Sequence, residues 1–125
     1  MAEHPNAAMV RRMGESMGRG DMQMLEEMLA DDVIWHEIGR PDPVRGKQAL
    51  RERMAGSDVD YEITFALHDV VANDDHTIAL GNASATRRGK TFDYRTAEIY
   101  HIRDGRIVER WAFSDDTAAI AAFFA

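Results

Sequence analysis

The sequence predicts an α+β domain in which helices pack on one face of a strongly curved, mostly antiparallel sheet that encloses a pocket. Three observations carry this reading. Apolar residues recur at helical spacing before position 56, while runs of strand-like character separated by turn signals fill 60–114. Those runs are roughly ten residues or longer, and strands of that length curl. A curled sheet capped by helices leaves a conical hollow, and such mouths are common ligand sites.

The elements follow in order. Residues 6–18 form a helix with Ala8, Met9, Met13 and Met17 on one face. "GRGD" ends it, and Asp21 is a good N-cap for a second helix over 22–30, with Met24, Leu25, Met28 and Leu29 inward. A strand over 32–38 lies within "DDVIWHEIG". The loop "GRPDPVRG" holds two prolines and two glycines and is expected to be irregular. A short third helix occupies 47–55. Four strands follow, at 60–72, 76–88, 91–103 and 106–114, separated by "ANDDH", "RRGK" and "RDGR". The Asp-Gly of the last is a strong hairpin signal. "DDTAAIAAFFA" closes the chain as a helix packed by Ile120, Phe123 and Phe124.

Composition narrows the function. A chain of 125 residues with 45% hydrophobic content is one domain with a proper core, without repeats or low-complexity segments. A net charge of −7 argues against nucleic acid or an anionic membrane as the main partner. With no cysteine there is neither a disulfide framework nor a thiolate metal site. The five histidines form no HxH or HExxH pattern, so neither metal nor cofactor is expected. The amino end has no apolar signal core and no stretch approaches a membrane span of about 18 apolar residues, so a cytoplasmic protein is expected.

Strand parity nominates the chemistry. In 32–38, Val33, Trp35 and Glu37 share one face, and Ile34, His36 and Ile38 the other. In 91–103, Glu98 lies between Thr96 and Tyr100 on an aromatic face. In 106–114, Ile107, Glu109, Trp111 and Phe113 share a face whose parity continues to Asp115, leaving Arg106, Val108, Arg110, Ala112 and Ser114 opposite. Carboxylates on aromatic faces are the raw material for acid/base work near neutral pH, because burial disfavours their charged form. Each also has a structural reading. Glu37 could pair with Arg40 or Arg45, and Glu98 with a cross-strand arginine. Asp115 could cap the last helix, Glu109 could be solvated or paired, and His36 could be a core histidine.

These residues carry a resemblance. The element order, "LADDVIWHEIG", the Pro/Gly loop into "GKQALRERM", and "IRDGRIVERWAFSD" resemble the nuclear-transport-factor-two-like (NTF2-like) superfamily over roughly 20–124. Its ketosteroid isomerases and SnoaL-like polyketide cyclases are the enzymatic branches most similar to this chain. The isomerase pattern implies that Glu37 stands where an aspartate shuttles the proton, and Glu98 where a protonated acid donates to an oxyanion. Met13 stands at that family's oxyanion tyrosine and cannot donate, while Leu29 replaces a supporting tyrosine. The cyclase pattern instead nominates Asp115, after "GRIVERW", as the acid/base group, although "SATRRGK" replaces the cyclases' usual "TGTH". Asn82 and Ser84 replace the Arg-x-Asp pair of limonene-epoxide-hydrolase relatives.

The expectation is a cofactor-free acid/base enzyme acting on a small apolar carbonyl compound, isomerase-like or cyclase-like; the alternative is a non-catalytic pocket that binds such a ligand. Glu37, Glu98 and Asp115 are the catalytic candidates. The ligand wall is expected to comprise Met13, Met17, Trp35, Tyr61, Phe65, Tyr100, Trp111 and Phe113. The resemblance further implies a homodimer formed through the outer sheet face, where Ala97, Ile99 and His101, or Val108 and Ala112, are too apolar for water.

Overall fold

In the computed structural model, which describes residues 3–55 and 60–125, three helical segments precede four long strands, and a short helix ends the chain. Helix α1 spans Pro5–Gly18, α2 Gln23–Met28 and α3 Lys47–Met54. Strand β1 spans Leu29–Trp35, β2 Val44–Arg45, β3 Tyr61–Ala72, β4 Thr77–Arg87, β5 Lys90–Arg103 and β6 Arg106–Ser114; α4 covers Thr117–Phe123. The six strands form one open sheet in the order β2-β1-β6-β5-β4-β3, antiparallel except for β1 beside β6. No described helix is long and apolar enough to cross a membrane.

Two boundaries differ from the sequence reading. Leu29 and Ala30 have helical propensity, yet both are buried in β1, where Leu29 pairs with Ile107. Tertiary pairing overrides a weak local preference. At the other end the strand stops at Trp35, although the His36 N–H still donates to the Arg110 carbonyl at 2.9 Å. The Pro/Gly loop is not wholly irregular, because Val44 and Arg45 pair with Trp35 and Ile34.

The core lies between the helices and the concave face. Ala7, Val10 and Met13 from α1 meet Leu25, Val33, Leu50, Val70 and Ile107. Along β4 the concave positions are Ala79, Gly81, Ala83 and Ala85, all buried and all small. Side chains of that size cannot fill the space under α1, so a hollow remains. Gly81 goes furthest, since a Cβ there would fall 2.1 Å from the Phe65 ring, which lies across it.

A bulge sets the face of β6. Ile102 pairs with Ile107 but His101 pairs with Glu109, so Val108 is an extra residue with no partner. From there the parity reverses. Arg110, Ala112 and Ser114 share the concave face with Tyr100, Glu98 and Thr96, while Glu109, Trp111 and Phe113 turn to the convex face beside His101, Ile99 and Ala97. The sequence reading ran a strict alternation through 106–114 and so inverted this strand. A one-residue slip moves every side chain to the other side.

Candidate functional site

A cavity of about 480 Å³ opens between α1 and the concave face. Its wall is mostly apolar, with Met13, Met17 and Met22 on the helical side and Ile63, Phe65 and Leu67 from β3. The polar groups converge on β5 and β6. Glu98 Oε1 accepts from an Arg110 Nη at 2.8 Å, and Glu98 Oε2 accepts from the Tyr100 hydroxyl at 2.7 Å. Arg110 also donates to the His36 carbonyl at 2.9 Å and lies 4.5 Å over the Trp35 ring, a cation–π arrangement that fixes its plane. Among the described residues lining the cavity, Glu98 is the single carboxylate. Its side chain is 17% exposed and that of Arg110 11%.

Burial controls the chemistry of this cluster. It pushes the Tyr100 phenol well above its usual 10.0, with the Glu98 charge adding to the effect, so the hydroxyl stays a neutral donor. Tyr94, further along the same face, is also raised, again mainly by desolvation. Glu98 accepts at both oxygens, one from a permanent cation. It is therefore arranged as a hydrogen-bond acceptor, not as the donor implied by the isomerase resemblance. Among the described residues no three His, Asp or Glu side chains converge as a metal site requires.

Of the expected wall, Met13, Met17, Trp35, Phe65 and Tyr100 line this cavity together with Glu98. The remaining candidates lie elsewhere. Trp111 and Phe113 sit on the convex face because of the Val108 bulge; Trp111 stacks there on His36, which is paired with Glu109 at 2.8 Å. Tyr61 packs edge-on against Phe124 at the far end of the sheet. Glu37 lies beyond the end of β1 and makes a two-pronged ion pair with Arg53 of α3 at 3.0 and 3.3 Å, rather than with Arg40 or Arg45. Asp115 shares the convex parity of Phe113. It is exposed, accepts from the Arg95 backbone N–H at 3.2 Å, and is held below the usual carboxylate range chiefly by that bond. It borders a second hollow of about 560 Å³, more open to solvent, lined by Thr64–Ala66 of β3, Asn82–Ser84 of β4 and Asp93–Arg95 of β5. The cap of α4 is Asp116, which accepts from the Ala119 N–H.

Sequence reasoning missed Arg110 and the floor of the cavity. Arg110 carried no local signal, because its face depends on the register between β5 and β6. The floor did carry one. "TIALGNASAT" alternates small residues with others; on that face Ala79 and Ala83 line the cavity, and Gly81 between them seats the Phe65 ring.

The fold and site define the class: the chain belongs to the SnoaL-like family, whose domain matches residues 10–110. An uncharacterised Mycobacterium tuberculosis protein, Rv0034, is 31% identical over 138 aligned positions covering all of both chains. An NTF2-like protein of Burkholderia pseudomallei superposes with a TM-score of 0.83 at 20% identity, covering 96% of this chain and 97% of that one. IdmH of Streptomyces antibioticus, a candidate polyketide cyclase, superposes at 0.75 with 22% identity, covering 98% and 100%. At these identities the two structures speak for the NTF2-like fold.

Proposed function

We propose that the protein is a cofactor-free acid/base enzyme that removes a proton next to the carbonyl of a small, neutral, apolar compound, with Glu98 as the base. The observation that carries this is Glu98, the one carboxylate among the described residues lining the cavity, oriented by Tyr100 and Arg110 and surrounded by apolar wall. A carboxylate has about four lone-pair sites, and two donors leave capacity to receive a proton. The Cα–H bond breaks, its proton goes to Glu98, and its electron pair moves through the new C=C bond onto the carbonyl oxygen. Glu98 then returns the proton to a different carbon, an isomerisation. Alternatively, the enolate carbon bonds to a second carbonyl of the same molecule, whose alkoxide takes the proton; that closes a ring. Arg110 is paired with Glu98, so the cavity favours a neutral ligand.

A binding-only pocket is the second reading, favoured by the same ion pair: Glu98 already satisfies Arg110, as a purely structural carboxylate would. A panel of β,γ-unsaturated ketones and polyketide-like esters separates the two. Turnover should fall at least about 10²-fold in Glu98→Gln, the lower end for general acid–base groups, and persist in Glu37→Gln. Turnover that survives Glu98→Gln refutes the assignment. Ligands that bind without reacting support the pocket alone.

The chain is also proposed to pair with a second copy through the convex face. Leu80, Ala97 and Phe113 stand side by side across β4, β5 and β6, next to the row Ile78, Ile99 and Trp111. Phe113 is 55% exposed and Leu80 37%, and with their neighbours they make a contiguous apolar patch of the kind that marks an interaction surface. Light scattering should give a dimer mass at micromolar concentration that drops in Phe113→Asp; a wild-type monomer overturns this.

A further inference from the structure

Removing a proton next to a carbonyl places negative charge on the oxygen, which needs a donor in a dry site. Helix α1 offers Met13 at the cavity wall, and a thioether cannot donate. The cavity nevertheless contains an unused hydroxyl. Among the described residues Thr96 Oγ1 has no hydrogen-bond partner and is closed off from solvent as the side chain stands, although the residue lines the cavity and is 8% exposed. A buried hydroxyl without a partner costs stability, so its presence calls for an explanation. Among the described residues Thr77 Oγ1 and Arg110 Nε are likewise buried and unpartnered, but Thr77 does not line the cavity, and Arg110, which does, has its two Nη groups committed to the His36 carbonyl and Glu98.

From these positions we infer that the Thr96 side chain turns about χ1 when a ligand enters, bringing Oγ1 to the cavity it lines, where it donates a hydrogen bond to the carbonyl oxygen of a flat, neutral ketone whose adjacent carbon faces Glu98. The inference rests on the proton-abstraction reading above. Thr96 and Glu98 are two residues apart on one strand face, roughly 6.6 Å along the chain. That span accommodates one hydrogen bond to oxygen, the two bonds from oxygen to the α-carbon, and the proton in flight. The shape of the ligand follows from β3 and β4. Gly81 pairs directly with Thr96, and the Phe65 ring lies across Gly81. The Phe65 ring and Thr96 thus line the same cavity on either side of Gly81, and only glycine leaves room for the ring. A flat conjugated ketone fits between this ring and the methionines of α1.

The test uses two probes of the same shape, 2-acetylnaphthalene and 2-isopropenylnaphthalene, in which CH₂ replaces the carbonyl oxygen. NMR titration follows the backbone amides of the cavity wall. The ketone should bind wild type about threefold to tenfold tighter than the hydrocarbon, the worth of one net hydrogen bond. Thr96→Val should erase that preference by weakening the ketone alone, and Thr96→Ser should keep it. A preference that survives Thr96→Val, or equal binding of both probes to wild type, overturns the inference while leaving the cavity reading standing. If neither probe shifts the wall amides, the cavity reading fails with it.

Discussion

Replacing Arg110 with methionine isolates the contribution of the ion pair at the centre of the cavity. The guanidinium donates to Glu98 at 2.8 Å and to the His36 carbonyl at 2.9 Å, and its plane lies 4.5 Å from the Trp35 ring. Methionine keeps most of the volume and removes the charge and both bonds. Breaking a buried pair costs about 3–5 kcal/mol, because the remaining charge is left unpaired. Glu98 keeps 17% exposure and the Tyr100 bond, so the low end, about 3 kcal/mol, applies. For a domain of this size each kcal/mol shifts the melting temperature by about 3–5 °C, giving a fall of about 9–15 °C. Urea denaturation of Arg110→Met, Glu98→Gln and the double variant supplies the check. Once Glu98 is neutral, the arginine substitution should cost about 1 kcal/mol, a coupling of roughly 2 kcal/mol. A single substitution costing under about 1 kcal/mol, or a strictly additive double, would refute the placement of Arg110 against Glu98.

Further outcomes follow from the same geometry. Gly81→Ala places a methyl 2.1 Å from the Phe65 ring, so the ring must leave its seat; about 1–3 kcal/mol of stability should be lost, and much of it should return when Phe65→Ala is added. If the loss persists in the double variant, the seat is not where the strain arises. Tyr100 has a folded-state pKa raised well above 10.0 by burial, so the fold favours its neutral form. That contribution is fully present below about pH 10 and drains away as the pH climbs through the folded-state value. Stability should therefore fall more steeply as the pH rises above about 10 in wild type than in Tyr100→Phe, and identical profiles would contradict a buried phenol. Glu37→Gln removes an ion pair with a half-exposed arginine, and the cost should lie within about 1 kcal/mol by thermal melting. A larger loss would mean that the carboxylate has a role the ion pair does not describe.

The fold was legible because its signals are local. Helical spacing in the first helix, the Asp-Gly turn and the length of the strands each depend on a few neighbouring residues, and the elements fall within a few residues of where those signals place them. The cavity wall was legible where periodicity runs undisturbed: Met13 and Met17 on α1, Trp35 on β1, Phe65 on β3, and Glu98 and Tyr100 on β5, where Glu98 meets the cross-strand arginine that a structural reading anticipated. On β6 the Val108 bulge reversed the faces. Nothing in "RIVERWAF" announces a bulge, because it is a property of two strands in register rather than of one. Trp111 and Phe113 therefore left the expected wall, and Arg110 entered it. Glu37 was read onto the face of Trp35 on the assumption that β1 continues, but the strand stops at Trp35 and α3 supplies Arg53.

The central claim is that Glu98 takes a proton from carbon inside the cavity. Exchange of the methyl-ketone protons of 2-acetylnaphthalene for deuterium, followed by ¹H NMR in D₂O, reads that step without requiring the natural substrate or a finished product. Wild type should accelerate the exchange over buffer, Glu37→Gln should match wild type, and Glu98→Gln should fall to the buffer rate. Exchange that continues at the wild-type rate in Glu98→Gln would contradict the account.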